Sequence, residues 1–90
     1  MSHLYCISFH IEDGEDFNER YAAMLIAIGE RSVETWAETP YFAMADSDLP
    51  IEQLTAELTP LIRQGSEILL IVELEEAQYR IEGNYKDKPA

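Results

Sequence analysis

The order of the apolar runs constrains this chain more than any single residue does. Four strand-like segments and two helix-like ones follow one another as strand, helix, strand, strand, helix, strand. Read as βαββαβ, that order predicts an α+β, ferredoxin-like sandwich: a four-stranded antiparallel sheet with two helices on one face. With 90 residues the chain makes one domain, expected over residues 1–85, with 86–90 as a flexible tail. It lies near the lower size at which one core suffices without staples, so self-association is an expected source of stability. Such a fold hosts many unrelated activities, and function has to be argued from particular residues.

Leu4 to Ile11 reads as the first strand, with Tyr5, Ile7, Phe9 and Ile11 on the core face and Leu4, Cys6, Ser8 and His10 on the other. The acidic turn 12–15 follows. Asp16 is placed to cap a helix, with Glu19 reaching back in a capping box. Phe17, Tyr21, Met24, Leu25 and Ile28 recur at helical spacing, and Gly29 is expected to supply a left-handed stop. Val33–Glu38 and Tyr41–Ala45, rich in aromatic and β-branched residues, read as two strands about Thr39-Pro40. Asp46-Ser47-Asp48 is expected to open a second helix with Pro50 in its first turn, Leu54, Leu58, Leu61 and Ile62 as its stripe, a kink at Pro60 and an end at Gly65.

Ile68 to Leu74 is almost continuously apolar, although a fourth strand in this fold lies at the sheet edge. If Ile68, Leu70, Val72 and Leu74 face the helices, Leu69 and Ile71 point to the bare face and need a cover. A symmetric partner supplies one, so a homodimer is expected, with Leu69 and Ile71 in its interface and monomers or insoluble protein on changing both to Asp. A short fifth strand over Gln78–Ile81, carrying Tyr79, would pair with this edge or cross to the partner.

Eighteen acidic residues against six basic ones give a net charge of −12. A surplus of carboxylates opposes binding to nucleic acid or to an anionic membrane and favours a basic protein as partner, besides maintaining solubility. A single cysteine, Cys6, cannot close an internal disulfide, no stretch approaches a membrane span, and the N-terminus lacks the features of a secretory signal, so a cytoplasmic location is expected.

Three constellations invite chemistry. Cys6, Ser8 and His10 share one strand face, but residues four apart along a strand are ~13 Å apart, so Cys6 and His10 cannot share a hydrogen bond, and no oxyanion turn follows. Catalytic residues are therefore not assigned. Glu12, Asp13, Glu15, Asp16 and Glu19 offer hard oxygen ligands, Glu12 and Asp13 being the metal candidates, but the spacing is that of no EF-hand loop and fits a solvated turn and helix start. Trp36, Tyr41 and Phe42 resemble a base-stacking platform only superficially, since Glu34 and Glu38 flank Trp36 and no lysine precedes position 86.

Leu-Tyr-Cys-Ile-Ser-Phe-His-Ile at 4–11, the acidic glycine turn, the helix ending near Gly29, Asp48-Leu49, and Leu58-Thr59-Pro60-Leu61 together resemble the small SinR-like proteins. Those are similar in fold to the CRISPR-associated adaptation subunit and endoribonuclease family and to virulence-associated protein D. The resemblance implies a cytoplasmic ferredoxin-like homodimer whose bare sheet faces or edge strands meet at the two-fold axis. In nuclease-like members an Asp ends the first strand and holds a divalent metal in the dimer cleft; here the matching residue is His10. Two such histidines would approach one another in the interface. The expected function is thus a non-catalytic, homodimeric protein-interaction module without a cofactor. The alternatives are a divergent nuclease using magnesium or manganese at Glu12 or Asp13, and an acidic nucleic-acid mimic that occupies a basic protein's groove.

Overall fold

Alternating apolar side chains place strand β1 (His3–His10) at the centre of the sheet in the computed structural model, which describes residues 2–75 and 78–86. The other elements are α1 (Phe17–Glu30), β2 (Glu34–Trp36), β3 (Phe42–Ser47), α2 (Ile51–Leu58) followed by a 3₁₀ turn (Thr59–Leu61), and β4 (Ile68–Leu74). The sheet is antiparallel with the order β2-β3-β1-β4. This α+β arrangement of four strands and two helices is compatible with the expected ferredoxin-like one.

One core holds both helices to one face of the sheet. Tyr5, Ile7 and Phe9 of β1, with Ala43 and Ala45 of β3, are buried together with Met24, Ala27 and Ile28 of α1 and Leu54 and Leu58 of α2. The two alanines leave room for the helices to approach, and Tyr5 satisfies its hydroxyl by donating to the Leu49 carbonyl at 2.6 Å.

Several local expectations are corrected. Asp16 occupies the N-cap position of α1 without a capping hydrogen bond, because its carboxylate instead accepts from Arg63 at 3.0 Å, so no capping box forms with Glu19. Gly29 does not stop α1 in a left-handed conformation; the helix runs on to Glu30 and ends as Arg31 and Ser32 donate back to carbonyls of its last turn. The second strand is only Glu34–Trp36. Asp46 and Ser47 belong to β3 and do not open α2: the Ser47 hydroxyl donates to the Arg31 carbonyl and accepts from the Leu49 amide, leaving Pro50 as N-cap. Pro60 lies in the 3₁₀ turn, where its missing amide is tolerated. Gln78–Ile81 forms no strand. Lys86 donates its amide to Glu38 at 2.5 Å, and the remainder of the expected tail, 87–90, lies outside the described residues.

The largest correction concerns β4. Antiparallel partners share a face, and the register pairs Phe9 with Leu69, Ile7 with Ile71 and Tyr5 with Glu73. Leu69 and Ile71 therefore lie on the helix side, packed against the core. Ile68, Leu70 and Val72, paired with His10, Ser8 and Cys6, point to the opposite face, the reverse of the expectation.

Candidate functional site

The helix-free side of the sheet, the open face, is built from one set of strand parities. Leu4, Cys6, Ser8 and His10 of β1 stand beside Leu74, Val72, Leu70 and Ile68 of β4, and β3 adds Phe42 and Met44. Ile68, Leu70 and Val72 are 64%, 55% and 43% exposed, which is unusual for three alternate apolar residues of one strand. Strand β4 is also the sheet edge, with no further strand beside it among the described residues. None of the eight open-face positions on β1 and β4 is Asp or Glu. In a chain carrying 18 acidic residues, that strip is set apart by its lack of carboxylates.

The other half of the open face is treated differently. Residues 78–82 run over it in a period-two pattern, Tyr79 and Ile81 half-buried and Gln78, Arg80 and Glu82 exposed. A groove of about 430 Å³ lies between this segment and the sheet, with Trp36, Phe42, Met44, Cys6 and Leu74 in its wall. Trp36 and Phe42 meet edge to face at 6.4 Å. Burial pushes the Cys6 thiol above its ordinary pKa, which makes it a poor nucleophile. Thus His10 and Tyr79, expected at an interface, lie on or over the open face, whereas Leu69 and Ile71 do not.

At one end of the sheet the acidic segment is tied into the fold. Glu67, buried, accepts from Arg20 through both oxygens at 2.5 Å, and from the backbone amides of Glu12 at 2.9 Å and Arg63 at 2.8 Å. The Arg20 guanidinium, followed by those two amides, holds the Glu67 carboxyl well below the usual carboxylate range despite its burial. Arg20 also donates to the Leu61 carbonyl at 3.2 Å, so this pair joins α1, the end of β1 and the loop before β4. The Glu12 carboxylate accepts from the Ser66 hydroxyl. Glu12 and Asp13 are not joined by further ligands: among the described residues no group of three or more His, Cys, Asp or Glu is placed to hold a metal.

Sequence reasoning missed the Arg20–Glu67 pair because its members are 47 residues apart and belong to no periodic pattern. The available signal was a lone acid directly before an apolar strand. It also missed the exposed trio on β4, because the uninterrupted apolar run 68–72 does not mark which parity faces out.

Cys6, Ser8 and His10 do lie in line on the open face, but no hydrogen bond links them. The His10 ring instead stands 5.5 Å from that of Tyr41. No helix among the described residues is long and apolar enough to cross a membrane. No protein-family model matches the chain, and no curated protein matches it either.

Proposed function

We propose that this chain is a non-catalytic protein-interaction module of ferredoxin-like fold that works as a homodimer, two copies packing their open faces together along β4. One observation carries the reading: an exposed apolar row, Ile68, Leu70 and Val72, lies within a strip of β1 and β4 that carries no carboxylate. At a net charge of −12, two copies repel each other wherever their acidic surfaces meet. A carboxylate-free apolar strip is where that repulsion is smallest and the hydrophobic gain largest. Two-fold pairing brings the same strip from both copies into register, and His10 with it. The resemblance to SinR-like proteins supports the same assembly. Following the β1–β4 register, the interface residues proposed on β4 are Ile68, Leu70 and Val72 in place of Leu69 and Ile71.

The acidic remainder of the surface is left to face a basic protein, in keeping with the charge. Nucleic acid is disfavoured as a ligand for the same reason.

The test is the mass in solution by light scattering. Wild type at micromolar concentration is expected to scatter as twice the chain mass, and Leu70→Asp with Val72→Asp as a folded monomer with an unchanged far-ultraviolet spectrum. A wild-type monomer overturns the reading, as does a dimer that survives both substitutions. Incubation of wild type with RNA and DNA in magnesium or manganese is expected to leave both intact. Cleavage abolished by Glu12→Ala with Asp13→Ala would establish the nuclease alternative.

A further inference from the structure

The groove beside the proposed interface has its own chemistry. Its wall is aromatic and aliphatic, with Trp36, Phe42, Met44 and Leu74 contributed by the sheet and Tyr79 and Ile81 by the segment that crosses it. Its volume, about 430 Å³, falls in the range of small-molecule sites, roughly 300–1,000 Å³, which combine apolar walls with a few polar groups that fix orientation.

Arg80 supplies such a group. Of the four arginines, Arg20, Arg31 and Arg63 each hold a carboxylate of the fold, on Glu67, Glu57 and Asp16. Arg80 lines the groove and, among the described residues, donates to the neighbouring carbonyl of Tyr79, at 3.0 Å, and to no carboxylate. In a chain with three acidic residues for each basic one, an arginine that pairs with no carboxylate among the described residues is the exception. Its planar fork of donors matches the two oxygens of a carboxylate. Glu82, two residues further on, also lines the groove and would repel a second negative charge.

We propose that the groove binds a small monocarboxylate with a flat apolar body, the body against Trp36, Phe42, Met44 and Leu74 and the carboxylate on Arg80. This goes beyond the interaction reading, because the groove, although Cys6 and Leu74 of the β1–β4 strip enter its wall, does not include the exposed row Ile68, Leu70 and Val72.

The chain carries its own reporters, since Trp36 is its one tryptophan and Cys6 its one cysteine, and both line the groove. The probes are 4-phenylbutyrate and its neutral amide, 4-phenylbutanamide. The acid is expected to change Trp36 emission saturably and to slow alkylation of Cys6 by N-ethylmaleimide. The amide should bind about three- to five-fold more weakly, the weight of one exposed ion pair. Arg80→Gln should weaken the acid by that factor and leave the amide unchanged, while Arg80→Lys restores part of the difference. The monomeric Leu70→Asp, Val72→Asp protein should bind the acid as wild type does, which separates this site from the dimer contact. No saturable response, equal affinity for acid and amide, an acid affinity indifferent to Arg80→Gln, or an emission change without protection of Cys6 would each overturn the proposal. Loss of binding in the monomer would show that a second copy completes the site, and would overturn it as stated.

Discussion

The two faces of this sheet are made by the same strands, and both carry apolar side chains, yet they meet opposite fates. On the helix side, Tyr5, Ile7, Phe9, Ala43 and Ala45 vanish beneath Met24, Ile28, Leu54 and Leu58. On the open side, Ile68, Leu70 and Val72 remain in solvent, while Phe42 and Met44 share a groove with residues 78–82. Apolar content alone therefore does not make a core; a layer must lie over it. The sheet has one covering layer of helices and a partial one in the C-terminal segment, and among the described residues neither lies over the open side of Ile68, Leu70 and Val72 on the edge strand.

Adjacent residues of β1 put the difference between the faces to its strongest test. Ile7 is fully buried on the helix side and Ser8 exposed on the open side. Ile7→Asp places a carboxylate under the helices, where desolvation costs several kcal/mol against a total stability of order 5–15 kcal/mol. It is expected to leave the chain unfolded by circular dichroism at 25 °C. Ser8→Asp should fold like wild type and scatter as a monomer, because it brings two carboxylates together across the proposed dimer axis. Folding of the first variant, or unfolding of the second, would show that the faces are wrongly assigned.

The same contrast explains what was legible in the sequence. Period-two alternation in β1 and helical spacing in α1 and α2 located the core residues Tyr5, Ile7, Phe9, Met24, Ile28, Leu54 and Leu58, because polar neighbours mark which side faces out. Strand β4 has no such marker: positions 68–72 are apolar throughout, so either parity fits. Glu73 suggests that odd positions face solvent. It lies instead on the helix side, where its carboxylate meets His3 at 2.8 Å. Only the pairing with β1 decides, and pairing is a long-range fact. The capping box at Asp16 failed for a related reason, since Arg63, 47 residues away, competes for the carboxylate.

A subtler substitution compares the faces without introducing charge. Leu54→Ala removes a fully buried side chain from α2 and is expected to cost about 2–5 kcal/mol in urea unfolding, the range for cavity-forming changes. Leu70→Ala should change monomer stability by no more than about 0.5 kcal/mol, as exposed sites do, while weakening the proposed dimer. Both measurements belong at dilutions below the dissociation constant of the proposed dimer, because association adds stability at higher concentration. Comparable losses at the two sites would mean that the row on β4 is covered within the monomer.

The helix side has a polar anchor whose contribution depends on pH. Because Arg20 and two backbone amides depress the Glu67 carboxyl, the folded chain binds fewer protons there than the unfolded chain. The stabilisation is thus fully present above the ordinary value of about 4.3 and is lost as pH falls below it towards the folded one. Glu67→Gln should lower the melting temperature at neutral pH, since an amide presents a donor towards donors. The gap from wild type should stay level between pH 6 and 8 and narrow on acidification below about 4. A gap that does not vary with pH would assign the loss to packing instead of the ion pair.

Tyr41 gives the smallest effects, because opposing contributions meet there and because it touches both faces. Its φ of 58° is left-handed, which costs a residue with a side chain roughly 1–2 kcal/mol relative to its usual conformation. Pairing holds it there: its amide donates to the Tyr21 hydroxyl at 2.8 Å and its carbonyl accepts from the Phe9 amide at 3.0 Å. The ring lies 6.1 Å from Phe9, 6.2 Å from Phe17 and 5.5 Å from Tyr21 on the helix side, and 5.5 Å from His10 on the open side. Each such aromatic pair contributes about 0.5–1.5 kcal/mol. Tyr41→Gly keeps both backbone bonds and relieves the strain but forfeits the rings, and a net loss of about 1 kcal/mol is expected in urea unfolding. Tyr41→Phe should be neutral within about 0.5 kcal/mol, because the hydroxyl reaches the Ile11 carbonyl only at 3.5 Å. Stabilisation by Tyr41→Gly would mean that backbone strain outweighs the aromatic cluster, and that the residue is held at this position for its contact with His10 and not for the fold.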